Sequence, residues 1–137
     1  METTAYAHRV ALDIPYEKAV KLATEKLAEQ GFGLLSEIDL KAKLKEKLGA
    51  DFRKYVILGA CNPPLAHRAL QAEIELGVLL PCNVIVYETE PGHSVVAAMA
   101  PKAALSVVGE NDALAEVAND ADARLQKALL ALEAADG

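Results

Sequence analysis

Two cysteines, Cys61 and Cys82, each followed by asparagine, are the residues of this chain best placed to do chemistry. Cys61-Asn62 ends an apolar run and leads straight into Pro63-Pro64, whereas Cys82-Asn83 follows Leu80-Pro81 and opens another apolar run. Strand ends and helix starts are where backbone N–H groups stand free, so a thiolate or a bound anion beside Cys61 would be favoured there. His67, about one helical turn beyond Pro63, is a candidate base for a Cys61 thiol, with Cys82 assisting or resolving. The opposing reading is that both are packing residues, because unpaired cysteines are among the most buried residue types. A third reading makes Cys61, Asn62, Pro63, Cys82, Asn83 and Glu88 the lining of a ligand pocket. It rests on a few polar groups set at strand ends in a very aliphatic chain, the composition of small-molecule sites.

Other chemistries find less support. No Cys-x-x-Cys is present, so a thioredoxin-like mechanism has no basis. A zinc site would want four ligands, and Cys61, Cys82 and His67 supply three at most, so no metal is assigned. Glu73 and Glu75 stand two apart on a helix and do not share a face, which argues against a carboxylate pair. His8 and His93 read as surface positions. Gly31-Phe32-Gly33 lacks the third glycine and the following helix of a dinucleotide fingerprint, and no cofactor is assigned.

Composition narrows the partners. The chain of 137 residues carries a net charge of −6, no Trp and 4% aromatic residues. Phosphate backbones are bound by surplus Lys and Arg, and single strands by stacking aromatics, so nucleic acid is not an expected partner. Between Lys41 and Lys54, six basic residues face two acidic ones. That run reads as the solvated face of a short helix, with an anion-binding patch as the alternative. The N-terminal METTAYAHRV lacks the apolar run of a secretory leader, and no apolar stretch is long enough for a membrane span. A cytoplasmic protein folding without disulfides is expected.

Residues 1–137 read as one domain of alternating strands and amphipathic helices. Strands are predicted at Ala5 to Leu12, Phe32 to Ile38, Tyr55 to Ala60, Asn83 to Thr89 and Ser94 to Met99. The last two are joined by Glu90-Pro91-Gly92-His93, a hairpin signal. A helix follows Pro15, with Tyr16, Ala19, Val20, Ala23 and Leu27 at three- and four-residue steps. A short helix capped by Asp39 and closed by Gly49 carries Leu40, Leu44 and Leu48. A third helix starts at Pro63-Pro64 and runs to about Glu75, with Leu65, Ala69, Leu70 and Ile74 inward. The longest runs from about Asn111 to Ala134. The hairpin requires antiparallel pairing, so the fold class is α+β, an antiparallel sheet with helices packed on one face.

Read together, Cys61-Asn62-Pro63, Ala66, a helix ending at Gly77, Leu80-Pro81-Cys82 and Val86-Tyr87-Glu88 make the chain similar to the domain-of-unknown-function family 302. The Gly-Phe-Gly strand leading to Glu37 and Asp39 fits as well, and the likeness spans about Ala5 to Leu132. It implies a TATA-binding-protein-like α+β fold, a homodimer, and signature positions at Cys61, Asn62, Pro63, Pro81, Cys82 and Glu88. It brings no established activity. Three functions therefore stand side by side: a homodimeric module binding a small apolar or anionic molecule near Cys61 and Cys82, a thiol enzyme or redox sensor, and a self-association domain.

Overall fold

The computed structural model describes residues 1–136. Six antiparallel strands form one sheet in the order β1-β2-β6-β5-β4-β3. They are β1 (Glu2–Thr3), β2 (Ala7–Leu12), β3 (Gly33–Asp39), β4 (Tyr55–Cys61), β5 (Cys82–Glu90) and β6 (His93–Met99). Five helices punctuate them: α1 (Tyr16–Glu29), α2 (Leu40–Leu48), α3 (Pro63–Ala72), α4 (Pro101–Ala104) and α5 (Asp112–Asp136). Two tighter 3-10 turns, Ile74–Leu79 and Leu105–Val108, follow α3 and α4.

Alternation along the strands decides which side is covered. Val10, Leu12, Val96, Val84, Val86, Val56 and Leu58 are all buried against α1 and the C-terminal half of α5. Their cross-strand partners follow one line through the sheet: Val10 faces Val96, Val96 faces Val86, and Val86 faces Val56. A second cluster forms beyond the sheet's end, where Leu65, Leu76, Leu105, Leu114 and Val117 pack together. Helix α5 joins the two, since its 25 residues reach about 37 Å.

Local signals account for several boundaries. Asp39 Oδ1 accepts the Ala42 N–H at 3.0 Å, and Gly49 closes α2 in the left-handed region. Other expectations are corrected. Helix α3 stops at Ala72 and Glu73 turns extended, so Ile74 loses the helical phase and is 78% exposed rather than inward. The short helix α2, to which no burial was assigned, has no buried residue, and its Leu48 is 75% exposed. His8, expected at the surface, is 4% exposed beneath α5. Two short elements, β1 and α4, have no counterpart in the sequence reading.

Candidate functional site

Strands β4 and β5 run antiparallel, so the end of one meets the beginning of the other. Cys61 lies opposite Gly33 of β3, and Cys82 lies opposite Ala60. The two cysteines are thus diagonal neighbours across the β4–β5 pair, at the end of the sheet that faces the second hydrophobic cluster. Both are free and half-buried. Between that end and α3 lies a hollow of about 320 Å³, lined by Cys61, Cys82 and Asn62. Its walls are aliphatic or aromatic, with Phe32 from the sheet side and Leu65, Leu76, Leu105 and Val117 from the helical side. Among the described residues, no Lys, Arg, His, Asp or Glu lines it.

The polar groups at this corner are already engaged. Asn62 Oδ1 accepts the Leu65 N–H at 3.3 Å, making Asn62 the cap of α3. Its Nδ2 donates to the Gln30 carbonyl at 3.3 Å, tying α3 to the end of α1. Gly31 makes room for this tie: its φ is +85°, and a Cβ there would sit 2.9 Å from Asn62 Nδ2. Pro63 and Pro64 have no N–H, and the Ala66 N–H bonds the Asn62 carbonyl at 2.9 Å. The first turn of α3 therefore offers no free donor, and the anion site that its N-terminus suggested is closed. On the other side, Pro81 seats against Gly59, where a Cβ would meet Pro81 Cγ at 2.8 Å and Ser36 Oγ at 2.3 Å.

Electrostatics at the thiols runs against nucleophilic use. Burial pushes the Cys82 thiol up to about 11, and nearby Cys61 adds to the rise. Burial raises the Cys61 thiol as well. Both are protonated near neutral pH, whereas attack needs the thiolate. His67 lies on the exposed side of α3, away from the hollow that Ala66 and Ala69 line, so it is not positioned as a base. Among the described residues, no group of three or more His, Cys, Asp or Glu side chains could hold a metal ion.

The structure brings together only some of the residues singled out by sequence. Cys61, Asn62 and Cys82 share the hollow; Pro63, Asn83 and Glu88 do not line it. Pro63 is exposed at the start of α3. Asn83 points to the opposite side of the sheet, where it borders a shallow trough. Glu88 stands six residues along β5, about 20 Å away. Its backbone N–H and carbonyl engage the Lys54 carbonyl and Arg53 Nη1.

Sequence reasoning missed a buried polar cluster beside the hollow. Asp122 of α5 is 2% exposed. Its Oδ1 lies 3.1 Å from His8 Nε2 and accepts Gln126 Nε2 at 2.6 Å, and its Oδ2 accepts the Lys102 N–H at 3.4 Å. His8 Nδ1 lies 2.8 Å from Thr3 Oγ1. An imidazole protonated at Nε2 donates to the carboxylate and accepts the threonine hydroxyl, which satisfies every member. The neighbours Ala121 and Pro101 line the hollow, so this cluster fixes one of its walls. The available signal was positional: Asp122 falls on the same helical stripe as Ala118, Leu125 and Leu129.

Comparison with known proteins follows the fold closely. The family model of DUF302, a domain of unknown function, matches residues 8–132. No curated protein matches the chain. Among solved structures, the crystal structure of an uncharacterized conserved DUF302 protein from Bacillus stearothermophilus is 32% identical, with a TM-score of 0.81. The match covers 92% of this chain and 97% of that one. Among the described residues, no helix is long and apolar enough to cross a membrane.

Proposed function

The chain belongs to DUF302, a domain family of unknown function, and on its geometry we propose that it is a binding module for a small, neutral, apolar molecule. The site is the hollow at the meeting of Cys61, Cys82 and the N-terminus of α3. The observation that carries this reading is the mismatch between the hollow's size and its chemistry. At about 320 Å³ it falls within the range of small-molecule pockets. Yet it presents no charge, and its one amide side chain already spends its hydrogen bonds on the fold. Desolvation and shape then supply the affinity, at roughly 25 cal/mol for each Å² of apolar surface removed from water.

This preference narrows the ligand. An anion would enter without a cation or a free N–H to meet it, and would lose its hydration uncompensated. The two thiols serve as polarizable wall, in keeping with cysteine's behaviour as a small hydrophobe. A thiol enzyme is the weaker reading, because both thiols are held protonated and His67 faces solvent.

The test uses N-phenyl-1-naphthylamine, a neutral fluorophore that brightens when it leaves water. The wild-type chain is expected to enhance its emission saturably. Ala66→Phe, which places a ring in the hollow, is expected to abolish the enhancement while the far-UV circular dichroism stays unchanged. Absence of enhancement by the wild type, or equal enhancement by a folded Ala66→Phe variant, would overturn the proposal.

A further inference from the structure

Thr3, His8 and Asp122 form a chain of contacts that runs from the edge of the sheet to beneath α5. The Thr4 N–H bonds the Ala7 carbonyl at 2.7 Å, so the next pair along the β1–β2 ladder, Thr3 and His8, is of the non-hydrogen-bonded kind. Side chains in such pairs approach most closely, and Thr3 Oγ1 lies 2.8 Å from His8 Nδ1. The other ring nitrogen, Nε2, lies 3.1 Å from Asp122 Oδ1. That carboxylate also accepts the Gln126 amide at 2.6 Å and the Lys102 N–H at 3.4 Å, so three donors fix it in place.

A carboxylate can only accept, so it takes the proton-bearing nitrogen, Nε2, and leaves the Nδ1 lone pair to the threonine hydroxyl. Hydroxyl, base and orienting carboxylate are the three members that activate a nucleophile. Exposure separates this arrangement from a packing device. His8 and Asp122 are buried, whereas Thr3, the member that would attack, is exposed. A donor for developing negative charge stands on the same residue. Strand β1 is the edge of the sheet, and in a non-hydrogen-bonded pair the N–H groups point away from the partner strand, so the Thr3 N–H faces outward. An oxyanion formed by attack of Thr3 Oγ1 can meet it there.

We propose that Thr3 is a nucleophile toward carboxylic esters, with His8 as its general base and Asp122 as the residue that positions the ring. The hydroxyl oxygen bonds to the ester carbonyl carbon while its proton passes to His8 Nδ1. The ester C–O bond then breaks, and the departing alcohol takes that proton. Water, giving a proton to Nδ1, attacks the acyl group on Thr3. The carboxylic acid leaves, and the proton on Nδ1 restores the threonine hydroxyl. Esters are selected over amides because an exposed edge encloses little of a substrate, and so has little binding energy to spend on a poor leaving group. The assignment is independent of what fills the hollow at Cys61 and Cys82.

Labelling by a fluorophosphonate probe and hydrolysis of p-nitrophenyl butyrate test it on the full chain. The wild type is expected to take up one probe per chain, mapped by mass spectrometry to Thr3 in the tryptic peptide Met1–Arg9. Thr3→Val keeps the shape of an exposed side chain, so it should fold, take up no probe and lose at least about 100-fold in kcat/KM. Thr3→Ser restores the hydroxyl and should keep kcat/KM within about tenfold. Thr4→Val removes the neighbouring hydroxyl, which donates to the Ala7 carbonyl, and should change kcat/KM less than about twofold. Asp122→Asn should lower kcat with KM unchanged, as expected of a group that orients the base without touching substrate. A wild type without adduct or hydrolysis overturns the proposal. So does a probe attached elsewhere, or hydrolysis that survives in Thr3→Val or in folded Asp122→Asn.

Discussion

Replacing Asp122 by alanine tests the claim that a buried polar cluster, and not apolar packing alone, holds the wall of the hollow. The carboxylate is 2% exposed and serves three donors: the His8 ring, the Gln126 amide and the Lys102 N–H. Its removal leaves His8 and Gln126 with polar atoms facing an apolar gap. Each orphaned buried group costs about 1–3 kcal/mol, and breaking a buried pair by removing one partner costs about 3–5 kcal/mol. The expected loss is therefore about 4 kcal/mol. For a chain of this length, 1 kcal/mol corresponds to roughly 3–4 °C, so Tm should fall by roughly 14 °C in a calorimetric scan. A double-mutant cycle sharpens the test. His8→Leu combined with Asp122→Leu replaces the whole pair by apolar groups, and should cost at least about 2 kcal/mol less than the two single changes summed. A loss below about 1 kcal/mol for Asp122→Ala, or strict additivity in the cycle, would refute the reasoning.

The thiols give a pH signature. A group whose folded pKa is raised stabilises the fold below its unfolded value, and that support disappears as pH climbs through the folded value. For Cys82 the window runs from the ordinary 9.0 to about 11. Urea unfolding should show the wild type losing roughly 2 kcal/mol more than Cys82→Ala between pH 8 and 11; parallel curves would show that Cys82 is not desolvated. Gly59→Ala drives a methyl group into Ser36 Oγ and Pro81 and should cost about 2–3 kcal/mol, partly recovered by Ser36→Ala in a denaturant melt. Removing the sulfurs separates wall from reagent: Cys61→Ala should keep fluorophore affinity within about threefold, whereas Cys61→Ser should lower it more by adding a hydroxyl to an apolar surface. Loss of all binding in Cys61→Ala would mean that the sulfur does more than fill space.

Much of the scaffold was legible because its punctuation is local. Pro15, the Asp39 cap with Gly49, and Pro91-Gly92 each fix the chain within a few residues, and all mark boundaries in the structure. What could not be read depends on distant partners. Ile74 continues the three- and four-residue rhythm of α3 as well as any residue, and nothing nearby in sequence announces that the chain turns extended at Glu73. The leucines of α2 repeat at four-residue steps, yet where the helix touches β3 and β4 it leaves Leu40 and Leu44 half-buried and Leu48 exposed. That Cys61 and Cys82 reach one hollow follows from β5 pairing with β4, a non-local choice. The burial of His8 follows from α5 lying over β2, more than a hundred residues away.

The residues that first suggested chemistry have a more economical explanation in the backbone around them. Asn62 follows Cys61 because α3 needs a cap whose other end can reach Gln30, and Gly31 stands where it does so that the amide can approach. The paired prolines begin a helix without leaving donors unmet, and Pro81 follows Leu80 at the point where Gly59 opens a seat for its ring. Once these roles are assigned, no unpartnered polar group remains at the corner to activate a nucleophile or hold an anion. What remains is an apolar space bounded by two protonated thiols. A site whose polar atoms have all been absorbed by folding can discriminate by volume and by the cost of bringing charge into it, and those criteria favour a neutral guest.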